Sequence, residues 1–404
     1  MNTIPYIIKL EDIKSAEQEL FNINCDKVGV EIMKAKGLFK VVKIPKVKTK
    51  VANVIKQTFL AKGAEVAVAR GTIDLSIEYT DLLVFATMKQ YKVALAQLKI
   101  QPWGAKKIAE QIELVIQDYK ETTVRDYHWS DKSLVIDNKK TLIMGILNLT
   151  PDSFSDGGKF NNADKALQHL NQMIADGADI IDIGAESTRP YNGGKKITAK
   201  QELERLLPIL EYILPKCPVP ISIDTYKAEV AEAALKLGAH IINDVWGLQY
   251  DHKMAEVIAN YNVPVVVMHN KENNFYENDV IEEMLAFLQQ SIDIGLKAGI
   301  KQENIIIDPG MGFFGKDTKQ NLYVMAKLER LQALGCPILL GTSRKRFIGE
   351  TLGVEVDERV EGTIATAVLG KTKGVQILRV HDVKAVTRAI KMTDIIMESE
   401  LYEK

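Results

Sequence analysis

Asn148, Asp224, Asn243, Asp308 and Lys345 lie far apart in the chain, yet each stands where a short apolar run stops. Together they offer carboxylate and amide acceptors beside amide and ammonium donors. A buried carboxylate accepts two parallel hydrogen bonds from a planar, amidine-like edge, and those bonds offset its desolvation. A flat heterocycle with an amino group beside a ring N–H has such an edge, and Lys345 then meets its carbonyl oxygen or a ring nitrogen. Thr188, Arg189, Arg379 and His381 form a second, anion-friendly set nearer the mouth of such a cavity. With Asn148 and the carboxylates of "NLTPDSFSDGG" (148–158) they suit a phosphate or diphosphate and a divalent cation. Magnesium favours such oxygen ligands plus phosphate and keeps several waters.

Each residue also has a plainer reading. An isolated Asp or Asn after a strand commonly caps the next helix, and Asp244 and Asp382 read as caps. Glu186 reads as a bridge between loops, and Arg346 as a solvated helix start. Polar groups at eight strand ends in succession exceed what capping explains, so the set reads as a site.

The elements that position these residues repeat. From Thr141 onward, apolar runs at 142–147, 179–184, 219–224, 239–244, 263–269, 304–310, 336–343 and 374–382 alternate with segments of helical period. Helices are predicted over "ADKALQHLNQMIADG", "YKAEVAEAALKLG", "DVIEEMLAFLQQSIDIGLKAG" and "DTKQNLYVMAKLERLQALG", several with Gly just past the last apolar position. Continuous apolar strands covered by helices make a parallel sheet buried on both faces. Eight of them fit an α/β fold, the closed (β/α)8 TIM barrel over about 137–404, whose mouth gathers the strand ends. A doubly wound open sheet is the alternative. Residues 1–120 read as a small α+β domain, from "LFKVVKIPKV", "KVANVIKQTFLAKG", "TDLLVFATM" and "AKKIAEQIELVIQDYKETT"; 121–140 reads as a linker or pre-barrel hairpin.

Composition sets the outer limits. The chain has 404 residues, 46% of them hydrophobic and 26% charged, as in well-cored globular proteins. A formal net charge of −1 gives no field favouring nucleic acid or an anionic membrane. The three cysteines are far apart and odd in number, which fits free thiols in a reducing compartment. No apolar run approaches the ~20 residues of a membrane span, and the N-terminus lacks signal-peptide features. A cytoplasmic protein is expected.

"GILNLTPDSFSDGG", "DIGAESTRP", "ISIDT", "IINDV", "VVVMH", "IIIDPGMGF", "TSRKRFIG" and "LRVHDV", in this order, resemble the dihydropteroate synthase family of folate biosynthesis over roughly 137–398. The resemblance implies a barrel that joins 6-hydroxymethyl-7,8-dihydropterin diphosphate to 4-aminobenzoate with release of diphosphate. It also implies a magnesium cofactor, competition by sulfonamides and a homodimer. Carried over, Asp224, Asn243, Asp308 and Lys345 match the pterin-binding residues, and Asn148 the magnesium ligand. Thr188, Arg189, Arg379 and His381 match the diphosphate-binding residues. Pro190 and Ser343 match the 4-aminobenzoate pocket, with Phe313 or Phe314 beside it. Asp152, Phe154 and Asp156 match the mobile first loop, which with Lys345 serves the chemical step.

Two departures stand out. "DPGMGFFGK" is one aromatic longer than the usual motif, and "NKENNFYEND" lacks the usual continuation of the fifth loop. The N-terminal extension lies outside the minimal family. A methyltetrahydrofolate:corrinoid methyltransferase-like barrel shares the Asp and Asn strand ends but has no use for the first loop, "SRK" or "RVHD". A non-catalytic pterin-binding protein is the remaining alternative.

Overall fold

The computed structural model describes residues 4–117, 123–149, 159–186, 197–273, 275–313 and 316–398. The chain divides into two compact units, residues 1–119 and 120–404. In the first, strands β1 (Phe39–Lys48), β2 (Glu65–Val68) and β3 (Tyr79–Thr87) form an antiparallel sheet in the order β1-β3-β2. Along β3, Thr80, Leu82, Val84 and Ala86 are buried in alternation, which gives the sheet one apolar face. Residues of helices Thr49–Leu60, Met88–Leu98 and Ala105–Ile116 join that face in one core. Phe59 and Tyr91 meet there edge to face at 5.4 Å. Helix Met88–Leu98 is absent from the expectations above, although its Thr87–Gln90 capping box is a readable start signal.

The second unit begins with a hairpin, β4 (Arg125–His128) and β5 (Ser133–Ile136), followed by eight parallel strands. These are β6 (Leu142–Asn148), β7 (Ile180–Gly184), β8 (Ile221–Asp224), β9 (Ile241–Asp244), β10 (Val265–Met268), β11 (Ile305–Asp308), β12 (Leu339–Leu340) and β13 (Ile377–Val380). Their order is β11-β10-β9-β8-β7-β6-β13-β12, and a parallel bridge from Ile307 to Ile338 joins the two ends. The sheet is therefore a closed (β/α)8 barrel, and the open-sheet alternative falls away.

Prolines trim the strands to less than their apolar runs. Pro220, Pro264, Pro309 and Pro337 each flank a strand and supply no N–H to a ladder. The helix predicted over 317–335 is α-helical only over Thr318–Ala326 and continues as a 3-10 segment, Leu328–Leu334. The tighter winding eclipses i and i+3, which sets Leu328 and Leu331 together in the core. No helix among the described residues is long and apolar enough to cross a membrane.

Side chains alternate across each strand, so every second residue enters the barrel. Leu142, Met144, Ile180, Ile241, Val266, Ile306, Leu339 and Ile377 form the lower interior, closed by Tyr127, Leu134 and Ile136 of the hairpin. The hairpin β4–β5 is thus the barrel's floor. Tyr127 also donates its hydroxyl to the Glu303 carbonyl at 2.7 Å. Tyr127→Ala is expected to cost about 3–5 kcal/mol and Tyr127→Phe about 1 kcal/mol. Urea midpoints followed by tryptophan fluorescence check both, since Trp129 packs edge-on against His240 at 5.1 Å on this floor.

Candidate active site

Counting two residues onward from the floor leads to the site. From Ile180 the next inward position is Asp182, from Ile241 Asn243, from Ile306 Asp308 and from Ile377 Arg379. On β8 the position in register with Asn243 is Asp224. A polar layer therefore lies directly above an apolar one.

Arg379 organises this layer. Its Nε donates to Asp182 Oδ2 at 2.6 Å and its Nη2 to Asp224 Oδ2 at 2.7 Å. Asn243 Nδ2 donates to the same Asp182 oxygen at 3.2 Å. The resemblance placed Arg379 with the diphosphate-binding group; in the structure its guanidinium also joins this carboxylate layer. Its parity is inward, and the fully buried Asp182 carboxylate requires a cation. Burial opposes a charge on Arg379, but Asp182 and Asp224 hold it firmly protonated. Burial pushes Asp224 up to about 7, with Arg379 pulling it back and Asp182 and Glu202 adding to the rise. Asp182 Oδ1 and Asp224 Oδ1 are buried and have no hydrogen-bond donor among the described residues. Asp182 escaped the sequence reading because it lies inside a strand rather than at its end; counting by two would have found it.

The sixth strand end shapes a neighbouring wall. Burial pushes Asp308 up to about 6, against the Gly310 N–H and the charges of Lys345, Arg379 and Lys316. Its Oδ1 accepts from Gly310 N at 2.7 Å. Gly310 has φ +63°, and a Cβ there would sit 2.0 Å from the His269 carbonyl oxygen, so only glycine fits. Phe313 is buried with Tyr226, Val245 and Met268, against Trp246. Lys345 begins helix Arg346–Leu352 and sets its ammonium 4.0 Å from the centroid of the Phe313 ring. Between the two candidate aromatics, Phe313 is the one seen at the site; Phe314 lies outside the described residues.

At the rim, His381 donates its backbone N–H to Ser343 Oγ at 3.1 Å, and its Nδ1 is also 3.1 Å from that oxygen. Asp382 is not the cap its position suggested: its carboxylate takes Arg344 Nε at 2.9 Å and Nη2 at 2.6 Å. Asp244 caps a turn rather than a helix, accepting from Trp246 N and Leu248 N. Glu186 does bridge, taking Tyr226 Oη at 3.1 Å, Ile197 N at 3.3 Å and the Lys227 ammonium. Arg346 pairs with Glu350 along its helix, half in solvent.

Asn148 is half-buried at the end of β6, in register with Gly184, which pairs in turn with Asp224. Asp152, Phe154, Asp156, Thr188, Arg189 and Pro190 lie outside the described residues. Among the described residues no three His, Cys, Asp or Glu side chains converge as a metal site.

Residues 144–381 match the model of the family described as "Pterin binding enzyme". Dihydropteroate synthase of Bacillus subtilis strain 168 is 52% identical over 278 residues, which is 67% of this chain and 96% of that protein. A crystal structure of dihydropteroate synthase from Clostridium difficile with pteroic acid is 53% identical with a TM-score of 0.62, covering 64% of this chain and 97% of that one. The enzyme of Xanthomonas albilineans in complex with 7,8-dihydropteroate is 37% identical with a TM-score of 0.61, covering 69% of this chain and all of that one.

Proposed function

From the premise that this chain belongs to the pterin binding enzyme family, we propose that its barrel is a dihydropteroate synthase at work on the two substrates the sequence implied. It joins 6-hydroxymethyl-7,8-dihydropterin diphosphate to 4-aminobenzoate, giving 7,8-dihydropteroate and diphosphate. The observation that carries the reading is the buried Asp224 carboxylate, anchored by Arg379 through one oxygen and, among the described residues, without a donor on the other. Such an acceptor at the C-terminal mouth of a barrel fits a ligand that brings N–H groups.

The pterin lies across the polar layer, its amino group and ring N–H on Asp224, with Asn243 and Asp308 along its edge. Lys345 donates to its carbonyl oxygen or a ring nitrogen while its stem and Phe313 form one wall. The methylene carbon then points to the rim, where Thr188, Arg189 and His381 hold the diphosphate and Arg379 adds its charge from below. The C–O bond to diphosphate breaks as the amine nitrogen of 4-aminobenzoate, held by Ser343, Pro190 and Phe313, bonds to that carbon. The proton lost by the nitrogen leaves with diphosphate. Fixed charges in a site poor in water stabilise the separating ions, so no protein nucleophile is needed. The first loop, with Asp152, Phe154 and Asp156, closes over the second substrate.

Asn148 fits magnesium of one particular kind. Its amide oxygen at the rim, with no acidic cluster beside it among the described residues, would suit an ion carried mainly by the substrate's phosphates. Bound there, magnesium neutralises the leaving diphosphate. The reading includes a cytoplasmic homodimer inhibited by sulfonamides.

The test is diphosphate release by the full chain. Release should require both the pterin diphosphate and 4-aminobenzoate and stop when EDTA is added. Methyltetrahydrofolate should not replace the pterin substrate. Tight pterin binding with no release under any of these conditions would leave a binding protein instead.

A further inference from the structure

Asp182 is fully buried inside the barrel, two residues beyond Ile180 of the floor. One of its oxygens serves two neighbours. Oδ2 accepts from Arg379 Nε at 2.6 Å and from Asn243 Nδ2 at 3.2 Å. An oxygen that accepts from a guanidinium has no proton to offer an amide, so the Asn243 side chain can meet it only through its NH2 group. The amide therefore has one orientation, with nitrogen toward Asp182 and carbonyl oxygen turned away from it. No donor among the described residues meets that carbonyl oxygen.

The backbone around this amide is fixed as well. Asn243 stands in register with Asp224 across β8 and β9, and its backbone carbonyl accepts from Thr225 N at 3.1 Å. Asn243 is itself buried, so turning the amide over would set its oxygen against the Asp182 carboxylate. Two acceptors facing each other in a buried layer is the costly arrangement. The position beside Asp224 is thus an acceptor whose direction is set by the protein alone.

A pterin with its amino group on Asp224 presents N1 and then N8 along the edge that follows. In the 7,8-dihydro ring N8 carries a hydrogen and donates; in the fully oxidised, aromatic ring it has a lone pair and only accepts. The two rings have nearly the same outline, so shape separates them poorly. We propose that Asp182 is a positioning residue that holds the Asn243 amide with its carbonyl oxygen toward the ligand, and so selects the dihydro ring over the oxidised one at N8. The inference rests on the reading of the barrel as a pterin site. A site that pairs with a ligand N–H rejects the analogue lacking it, because its acceptor is then left facing a lone pair.

The test is calorimetric titration of 6-hydroxymethyl-7,8-dihydropterin, and of 6-hydroxymethylpterin, its oxidised form, into the full chain. The readout is the ratio of the two Kd values, since general damage to the barrel weakens both ligands alike. Wild type should prefer the dihydro ring by about tenfold to a hundredfold. Asp182→Leu, similar in outline but with no acceptor, frees the amide to turn and should bring the ratio below about threefold. Asp182→Asn should keep the preference, because its amide oxygen can take both donors in the place of Oδ2. Should Asp182→Leu not fold, Asn243→Ala removes the amide while Asp182 keeps Arg379, and the preference should collapse there too. A wild type indifferent to the ring's oxidation state, a preference that survives either removal, or one lost equally in Asp182→Asn would each overturn the inference. Failure of the wild type to bind either pterin would instead overturn the functional reading beneath it.

Discussion

Asp224→Ala is expected to lower kcat/KM for the pterin diphosphate by about 10^4-fold, because a site built to pair ligand N–H groups rejects a mismatch on that scale. The ligand's donors would lose their acceptor in a place that water fills poorly, while Arg379 would keep its bond to Asp182 and the barrel its layer. Asp224→Asn should fare nearly as badly, since one of its two atoms is a donor facing the donors of Arg379. The pH profile of the unaltered enzyme carries the same argument. Burial raises Asp224 to about 7, and the ionised form is the acceptor. Activity in kcat/KM, which reports the free enzyme, should climb through about pH 7 and level off above it. Steady-state diphosphate release across pH 5.5 to 9 measures both effects. A profile flat across that range would remove Asp224 from the pterin contact.

How much of this was readable beforehand differs by layer. Eight apolar runs and their parallel order followed from period and composition, because strands buried on both faces leave little choice of residue, whereas the choice of a closed barrel over an open sheet needed the join of the first and last strands. Asp224, Asn243 and Asp308 were visible as polar breaks in those runs. Asp182 was hidden inside "DIIDIG", where one acid among isoleucines looks like a boundary rather than an interior group. Lys316 was hidden by length: a long side chain can reach solvent from almost anywhere, so only the fold shows that it turns inward to His269. The pairing of Arg379 with Asp182 and Asp224 was hidden for the same reason. Its position on β13 fixes the direction of its first bonds, but the carboxylates that capture its guanidinium come from strands about 155 and 197 residues earlier. Pairings across that distance belong to topology, which a single sequence expresses only as spacing.

Arg379→Met is the second large effect, and it appears in stability before activity. Removing the guanidinium leaves Asp182 and Asp224 facing each other in a buried layer, and breaking a buried pair from one side costs about 3–5 kcal/mol. The loss has a direction in pH. Asp224, already raised by burial, would rise further without Arg379, so the folded state binds a proton that the unfolded state releases. The penalty is therefore small near pH 4 and grows as pH rises through the raised value, where two charges would otherwise have to coexist. Denaturant midpoints of variant and wild type should lie close together at pH 4.5 and diverge steadily toward pH 8. Arg379→Lys should recover only part of the gap, because a single ammonium cannot span Asp182 and Asp224 as the fork of Nε and Nη2 does. Adding Asp182→Asn to Arg379→Met should recover more than the lysine does, since it removes one of the two charges instead of replacing half of their partner. If the double variant were no more stable than Arg379→Met at pH 8, the arginine would be holding the barrel by packing, and the electrostatic account of the polar layer would fail.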